Sequence, residues 1–432
     1  MDPSPLASRR WGYLIPVVMV MYLLAYLDRG NVALILPFIG DDLHLSSSAK
    51  GMISGSFFIG YLVLQVPSVL MARRWGARPV VAVLLVAWSL AAIACGFVQN
   101  QEQLYAARFA LGVFEGGVLP VIVLLLSRWF IDSERSRANT LFLTCIPLSA
   151  VLASPFTGWL LTITHWRTVF IIEGVIPLLW LIPWLLIVRE RPVEARWLPI
   201  GESTQVQSKI DEEQRERASK SMVGNSSYRE VLRSRTVWQL IAAYFLWFGG
   251  AYGVVLWLPT VIKNALPSSS ALHIGLLSAV PYVAALAGML IASRYTHSRG
   301  SVRLWIVAPL AAAGLATIAG QATSNVVIQL GLLCVVATGS YLSLGTYLAV
   351  PSLMFPDSFA GITVAAMTTF GSIGGFAGPF AVGWLSDVSG STVVGFLVLG
   401  GSFVVAAVIA AVTIPRGLST NPTPSRELGR VS

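Results

Sequence analysis

Apolar residues in this chain gather in long runs, not in the short alternating stripes of a soluble fold. A helix needs about 20 mostly apolar residues to cross the hydrocarbon of a bilayer. Twelve segments meet that length: 12–37, 51–72, 79–98, 104–126, 138–161, 168–188, 236–262, 273–293, 304–323, 326–350, 361–387 and 393–414. Only one separator is long and polar, about 189–235. Its run Asp211-Glu212-Glu213-Gln214-Arg215-Glu216-Arg217 reads as a solvated helix in a linker. The pattern predicts an all-α integral membrane protein of twelve transmembrane helices in two pseudo-symmetric six-helix bundles. The expected domains are 1–190, a cytoplasmic linker 191–235, 236–416, and a tail 417–432. The first run is too long for the core of a signal peptide and carries Asp28-Arg29 without a small-residue cleavage site, so it is expected to stay as a span.

The two halves echo each other. Ala153-Ser154-Pro155-Phe156-Thr157-Gly158-Trp159-Leu160 in the fifth span returns, with one inserted residue, as Ala377 through Leu385 in the eleventh. Pro155 and Pro379 are 224 residues apart, as are Gly51 and Gly275 at the starts of the second and eighth spans. Pro37 and Pro259, closing the first and seventh, are 222 apart. A shared offset on equivalent spans predicts two parallel repeats with a site at their interface, the plan of a rocking secondary transporter.

Composition agrees with the spans. The chain is 55% hydrophobic and 11% charged, whereas soluble domains carry about 25% charged residues. The net charge of +9 invites a nucleic-acid reading, which the placement of the charges removes. With the N-terminus set in the cytoplasm, 24 of the 29 Lys and Arg fall in inside segments. Outside loops hold Lys50, Arg167 and Lys263, and Arg29 and Arg108 lie within spans. That is the positive-inside bias of an inner-membrane protein with both termini cytoplasmic. Three separated cysteines and four scattered histidines give neither a disulfide framework nor a metal site. No cofactor, metal or nucleic-acid partner is expected, and no nucleophile with its base suggests an enzyme. The expected partners are lipid, protons and a small organic anion, with the protein acting as a monomer.

The charges inside spans carry the chemistry, because an ionised side chain at mid-membrane is costly and marks a functional cavity. Asp28 lies nine residues from Pro37 and Glu115 eleven past Leu104, about 13 and 16 Å from the outer surface at a rise of about 1.5 Å per residue. Arg108, Gly112 and Glu115 share a helix face, and Gly112 is expected to leave room for the two charges to neutralise each other. Tyr22, Tyr26 and Arg29 share a face of the first span, and Tyr61 with Gln65 form a polar pair on the second. A guanidinium between phenols suits a carboxylate, since its planar fork donates two parallel hydrogen bonds. The tyrosines and Gln65 could equally serve helix–helix hydrogen bonding. Glu173, near the outer end of the sixth span, is expected to be structural.

The second half has no acid or base at mid-depth, with Asp387 at an outer helix end. It offers Tyr252 and Trp257, then Tyr341, Ser343 and Tyr347, then Thr368, Thr369 and Ser372. Charge coupling therefore belongs to the N-terminal half, and selectivity to both. Gly371, Gly374, Gly375 and Gly378 on the eleventh span permit close helix approach.

These residues resemble the anion:cation symporter branch of the major facilitator superfamily, which includes galactonate, tartrate and aromatic-acid permeases. The resemblance rests on Asp28-Arg29-Gly30-Asn31, Gly60-Tyr61, Gln65-Val66-Pro67, Arg108 with Gly112 and Glu115, Arg128-Trp129-Phe130, Glu134 through Ala138, and the eleventh-span glycines. It implies that Asp28 and Glu115 titrate with the coupling proton, that Arg108 partners the Glu, and that Arg29 and Tyr61 contact substrate. Arg73 stands where the wider superfamily has an Asp, which puts the usual cytoplasmic latch in doubt. Thr368 takes a position often held by Asn.

The sequence thus predicts proton-coupled uptake of a small organic carboxylate, such as a sugar acid or aromatic acid, by alternating access. Asp28, Glu115 and Arg108 would couple the proton. Arg29, Tyr26, Tyr61, Gln65, Tyr252, Tyr341 and Thr368 would bind the anion. In that scheme, ionised Asp28 competes for Arg29 and expels the anion inside. The alternatives are a sodium-coupled symporter or an anion exchanger of the same fold, and, from other classes, a channel or sensor.

Overall fold

The computed structural model describes residues 9–220, 228–295, 302–416 and 418. The tail expected at 417–432 lies outside them apart from residue 418.

In the N-terminal half the first span is α1 (Arg9–Asp42), a single helix longer than its apolar run. The second is broken into α2 (Ser47–Gln65) and α3 (Pro67–Trp75), bent by 40°. Pro67 opens α3 where its missing N–H costs nothing. The third is α4 (Ala77–Cys95). The fourth is split at Gly117 into α5 (Gln101–Gly116) and α6 (Val118–Ser127). The fifth comprises α7 (Asp132–Leu143) and α8 (Cys145–Ile163), and the sixth is α9 (Trp166–Ile187). Hydropathy registers the apolar run but not these interruptions, since Val66, Gly117 and Thr144 fall inside or beside apolar sequence.

Between the halves lie α10 (Ile200–Lys220) and the short α11 (Tyr228–Arg233). The second half follows as α12 (Arg235–Ala265), α13 (Ala271–Tyr295), α14 (Val302–Ala319), α15 (Val326–Met354), α16 (Asp357–Ser389) and α17 (Thr392–Thr413). Eleven described helices are long and apolar enough to cross a membrane, and the bent α2–α3 pair makes twelve. The whole is all-α, two six-helix bundles.

The linker holds to the first bundle by aromatic and ionic contacts. Trp197 stacks on Tyr13 at 5.0 Å and on Trp129 at 5.5 Å. The Glu213 carboxylate accepts the backbone N–H of Asp132 at the start of α7, and Arg10 of α1 lies 3.9 Å from Glu202 of α10. Glu190 accepts the N–H groups of Ala77 and Arg78 at the start of α4, at 2.9 and 2.6 Å. It also pairs with Arg128 at 2.8 Å, so one carboxylate serves both a helix N-terminus and a base.

The halves meet most tightly at the end of the bundle away from α10. There α2 crosses α16 and α8 crosses α13, backbone against backbone. A Cβ on Gly51 would lie 2.6 Å from the Pro379 carbonyl oxygen, and one on Gly158 would lie 2.7 Å from that of Ala271. Gly383 and Gly275 face Ser47 and Ser154 in the same way. The residues that betray the internal repeat are therefore the ones where the repeats touch. At one crossing the Asp387 carboxylate accepts the N–H of Ser47 at 2.9 Å, and the N–H and hydroxyl of Ser48 at 2.8 and 2.5 Å. It thereby caps a helix of the opposite half. Lys263 of α12 reaches Asp41 of α1 at 3.2 Å beside it.

Candidate functional site

Arg29 stands at the meeting of α1, α2 and α5. Its Nη2 lies 2.5 Å from Glu115 Oε1 and its Nε donates to the same oxygen at 3.0 Å. The guanidinium carbon is 4.4 Å from the Tyr26 ring centre, 4.8 Å from Tyr61 and 5.3 Å from Phe57. The base is thus held by one carboxylate edge and three aromatic faces, an arrangement that offsets part of its desolvation. Glu115 Oε2 has no partner. Arg29 keeps only 7% of its side-chain exposure and Glu115 none.

This pairing corrects the expected one. Among the described residues no ion pair joins Arg108 to Glu115. Gly112, between them, is the point where the α2 backbone closes on α5, and a Cβ there would fall on the Phe57 carbonyl. The space Gly112 opens is filled by α2, not by the two charges. Arg108 turns the other way, and its Nη1 donates to the backbone oxygen of Asp28 at 3.2 Å. The Phe57 ring lies 5.3 Å from both guanidinium carbons.

A second correction concerns Asp28. Its carboxylate does not engage Arg29 but accepts from Trp88 Nε1 of α4 at 3.1 Å through Oδ2, and Oδ1 has no partner. Asp28 and Arg29 are consecutive, so on a helix they leave the backbone about 100° apart and face different neighbours. Trp88 was not visible as a site residue, since it sits in an apolar span without polar company. Phe57 was missed for the same reason. One turn on, Asn31 meets Glu173, which also contacts Thr157.

The opposite half supplies aromatic walls. Phe58 of α2 meets Tyr252 edge-on at 4.5 Å, and Tyr252 meets Phe248 at 4.6 Å. Tyr341 packs edge-on to Tyr282 at 6.3 Å. Tyr26, Arg29, Tyr252 and Tyr341 are each half-buried even though they lie mid-span. Gln65 is half-buried at the end of α2, one turn beyond Tyr61, and its side chain makes no hydrogen bond. The Thr368 hydroxyl donates to Ala365 on its own helix at 3.0 Å. Neither joins the cluster around Arg29. Tyr347 spends its hydroxyl on the Leu240 carbonyl at 3.0 Å, a structural bond.

A bundle of two six-helix halves, with mid-span charge in one and aromatic rings from both beside it, fits a membrane transporter. A profile of the Major Facilitator Superfamily matches residues 18–379. The chain belongs to that superfamily and is a transporter, not an enzyme. It is 33% identical over 408 residues, 92% of each chain, to a protein of Agrobacterium vitis named "Putative tartrate transporter". It is 30% identical over 395 residues, 89% of each chain, to the quinolone resistance transporter of Acinetobacter baumannii. Among solved structures, the D-xylose–proton symporter superposes with a TM-score of 0.74 at 14% identity, over 94% of this chain and 98% of the other.

Proposed function

We propose that the protein imports a small organic carboxylate together with protons by alternating access, residing in the inner membrane with both termini in the cytoplasm. The observation that carries this reading is the Arg29–Glu115 pair held among α1, α2 and α5. A proton on Glu115 removes the charge that holds Arg29. The freed guanidinium then offers its fork to a substrate carboxylate between Tyr26 and Tyr61. Loss of that proton restores the internal pair and expels the anion. Glu115 thus takes the competing role first expected of Asp28. Asp28 is the second proton site, its carboxylate held by Trp88 while Arg108 binds its backbone oxygen. The neutral C-terminal half contributes Tyr252 and Tyr341 as walls.

With the termini inside, the end closed by the Gly51, Gly158, Gly275 and Gly383 crossings faces outward. The relative named for tartrate favours a hydroxylated acid as the first probe. The test is uptake of labelled tartrate and a panel of monocarboxylates into proteoliposomes under an imposed pH gradient. Accumulation that follows the gradient, and persists when sodium is replaced, supports the reading. Uptake that follows sodium, or needs internal anion, contradicts it.

A further inference from the structure

Among the described residues, five charged side chains lie seven or more residues from the nearer end of their spans: Asp28, Arg29, Arg108, Glu115 and Glu173. All are in the N-terminal half. Two are bases and three are acids, so one acid is in excess if all are ionised. Glu115 has Arg29; Arg108 meets Asp28 only at its backbone oxygen, which still brings a guanidinium beside that residue. Glu173 of α9 has neither kind of contact with a base. It is 1% exposed, and among the described residues no base lies within ion-pairing distance. Its partners among them are Asn31 of α1 and Thr157 of α8, both neutral and both at 2.6 Å.

Burying an isolated carboxylate is so costly that such a group neutralises instead. The orientation of an Asn amide is assigned from its partners. With the Asn31 amide turned about its axis, its oxygen faces Glu173 and accepts an acid O–H.

We propose that Glu173 is a proton-binding site that stays loaded, a neutral carboxylic acid donating to Asn31 and accepting from Thr157. The elements packed on α9 are α1, α4 and α8. Of these, α1 brings Asp28 and Arg29 near this depth. α4 carries Arg78 at its far end and the Cys95 thiol at its last residue, and α8 has the Cys145 thiol at its first. The resident proton balances the interior at two bases and two ionised acids. Its consequence for transport rests on the proton coupling proposed above. A proton added to Asp28 or Glu115 then leaves one uncompensated guanidinium for an anion, which an ionised Glu173 would cancel.

Infrared difference spectroscopy of the purified full-length protein tests the protonation directly and does not depend on transport. The carbonyl stretch of a protonated carboxylic acid is expected in the parent protein in neutral and in alkaline buffer. It is expected to be absent in Glu173→Gln, the neutral isostere, and shifted in Thr157→Val, which removes one partner. Loss of only ionised-carboxylate bands in Glu173→Gln overturns the proposal. If that variant fails to fold, an acid band unmoved by Thr157→Val overturns it. Failure of gradient-driven uptake would refute the coupling and leave the Glu173 band as expected.

Discussion

Glu115 of α5 grips Arg29 of α1 through a single carboxylate oxygen, with Nη2 at 2.5 Å and Nε at 3.0 Å, and leaves its other oxygen without a partner. A substrate carboxylate seeking Arg29 must compete with that oxygen. Truncating one member of a buried, hydrogen-bonded charge pair costs about 2–5 kcal/mol. Arg29→Ala should therefore weaken tartrate binding by roughly 30-fold or more, measured by calorimetry on purified protein. Arg29→Lys should not restore it, because an ammonium lacks the planar fork.

Glu115→Gln should separate movement from coupling. The amide cannot carry the proton, so accumulation driven by a pH gradient should be lost. Exchange of labelled for unlabelled substrate across equal pH should continue, because the crossings that rock the halves are untouched. Loss of both activities with binding intact would assign Glu115 to the rocking step instead.

Asp387 and Ser48 stand 339 positions apart, yet they join opposite halves at the closed end. A helix cap contributes about 0.5–2 kcal/mol. Removing it with Asp387→Ala should shift the balance of states by roughly two- to thirtyfold toward opening at that end. A cysteine at Ser154, placed in a variant without native cysteines, should then react faster with an impermeant thiol reagent added outside. Unchanged labelling would show that the glycine crossings alone hold the end shut.

Trp88 donates the one side-chain hydrogen bond that Asp28 accepts. Trp88→Phe keeps the ring and removes the donor. A hydrogen bond to a charged group is worth about 1.5–3 kcal/mol. If Asp28 is ionised in the resting state, the variant should melt measurably lower in detergent, and its uptake should respond to pH differently from the parent. A parent-like melt and pH profile would mean that Asp28 is neutral or that the bond is incidental.

Trp197 ties the linker to the first bundle between Tyr13 and Trp129. Each aromatic pair contributes about 0.5–1.5 kcal/mol beyond area burial. Trp197→Ala should lower stability by about 1–3 kcal/mol, visible in thermal unfolding. Substrate affinity should be unchanged, since Trp197 packs on Tyr13 and Trp129 and not on the Arg29 cluster.

Much of this was legible in the sequence because lipid imposes simple rules. Apolar runs gave the spans, and Asp28, Arg29, Arg108 and Glu115 were conspicuous against them. The repeat at Gly51, Gly275, Pro155 and Pro379 was legible because close crossings accept few residue types. What could not be read was which helix each charge would face. Spacing on α5 puts Arg108 and Glu115 on one face but says nothing of α2 filling Gly112. The cap by Asp387 and the hold of Glu190 on Ala77, Arg78 and Arg128 depend on contacts between distant segments. Trp88 and Phe57 looked like any other apolar filling.

The central claim is that a proton on Glu115 releases Arg29 to the anion. Calorimetric titration of purified protein with tartrate, repeated in buffers of different ionisation enthalpy, counts protons taken up on binding. The account predicts net proton uptake with the anion in the parent and less of it in Glu115→Gln. Binding without proton uptake in the parent, or equal uptake in the variant, would contradict it.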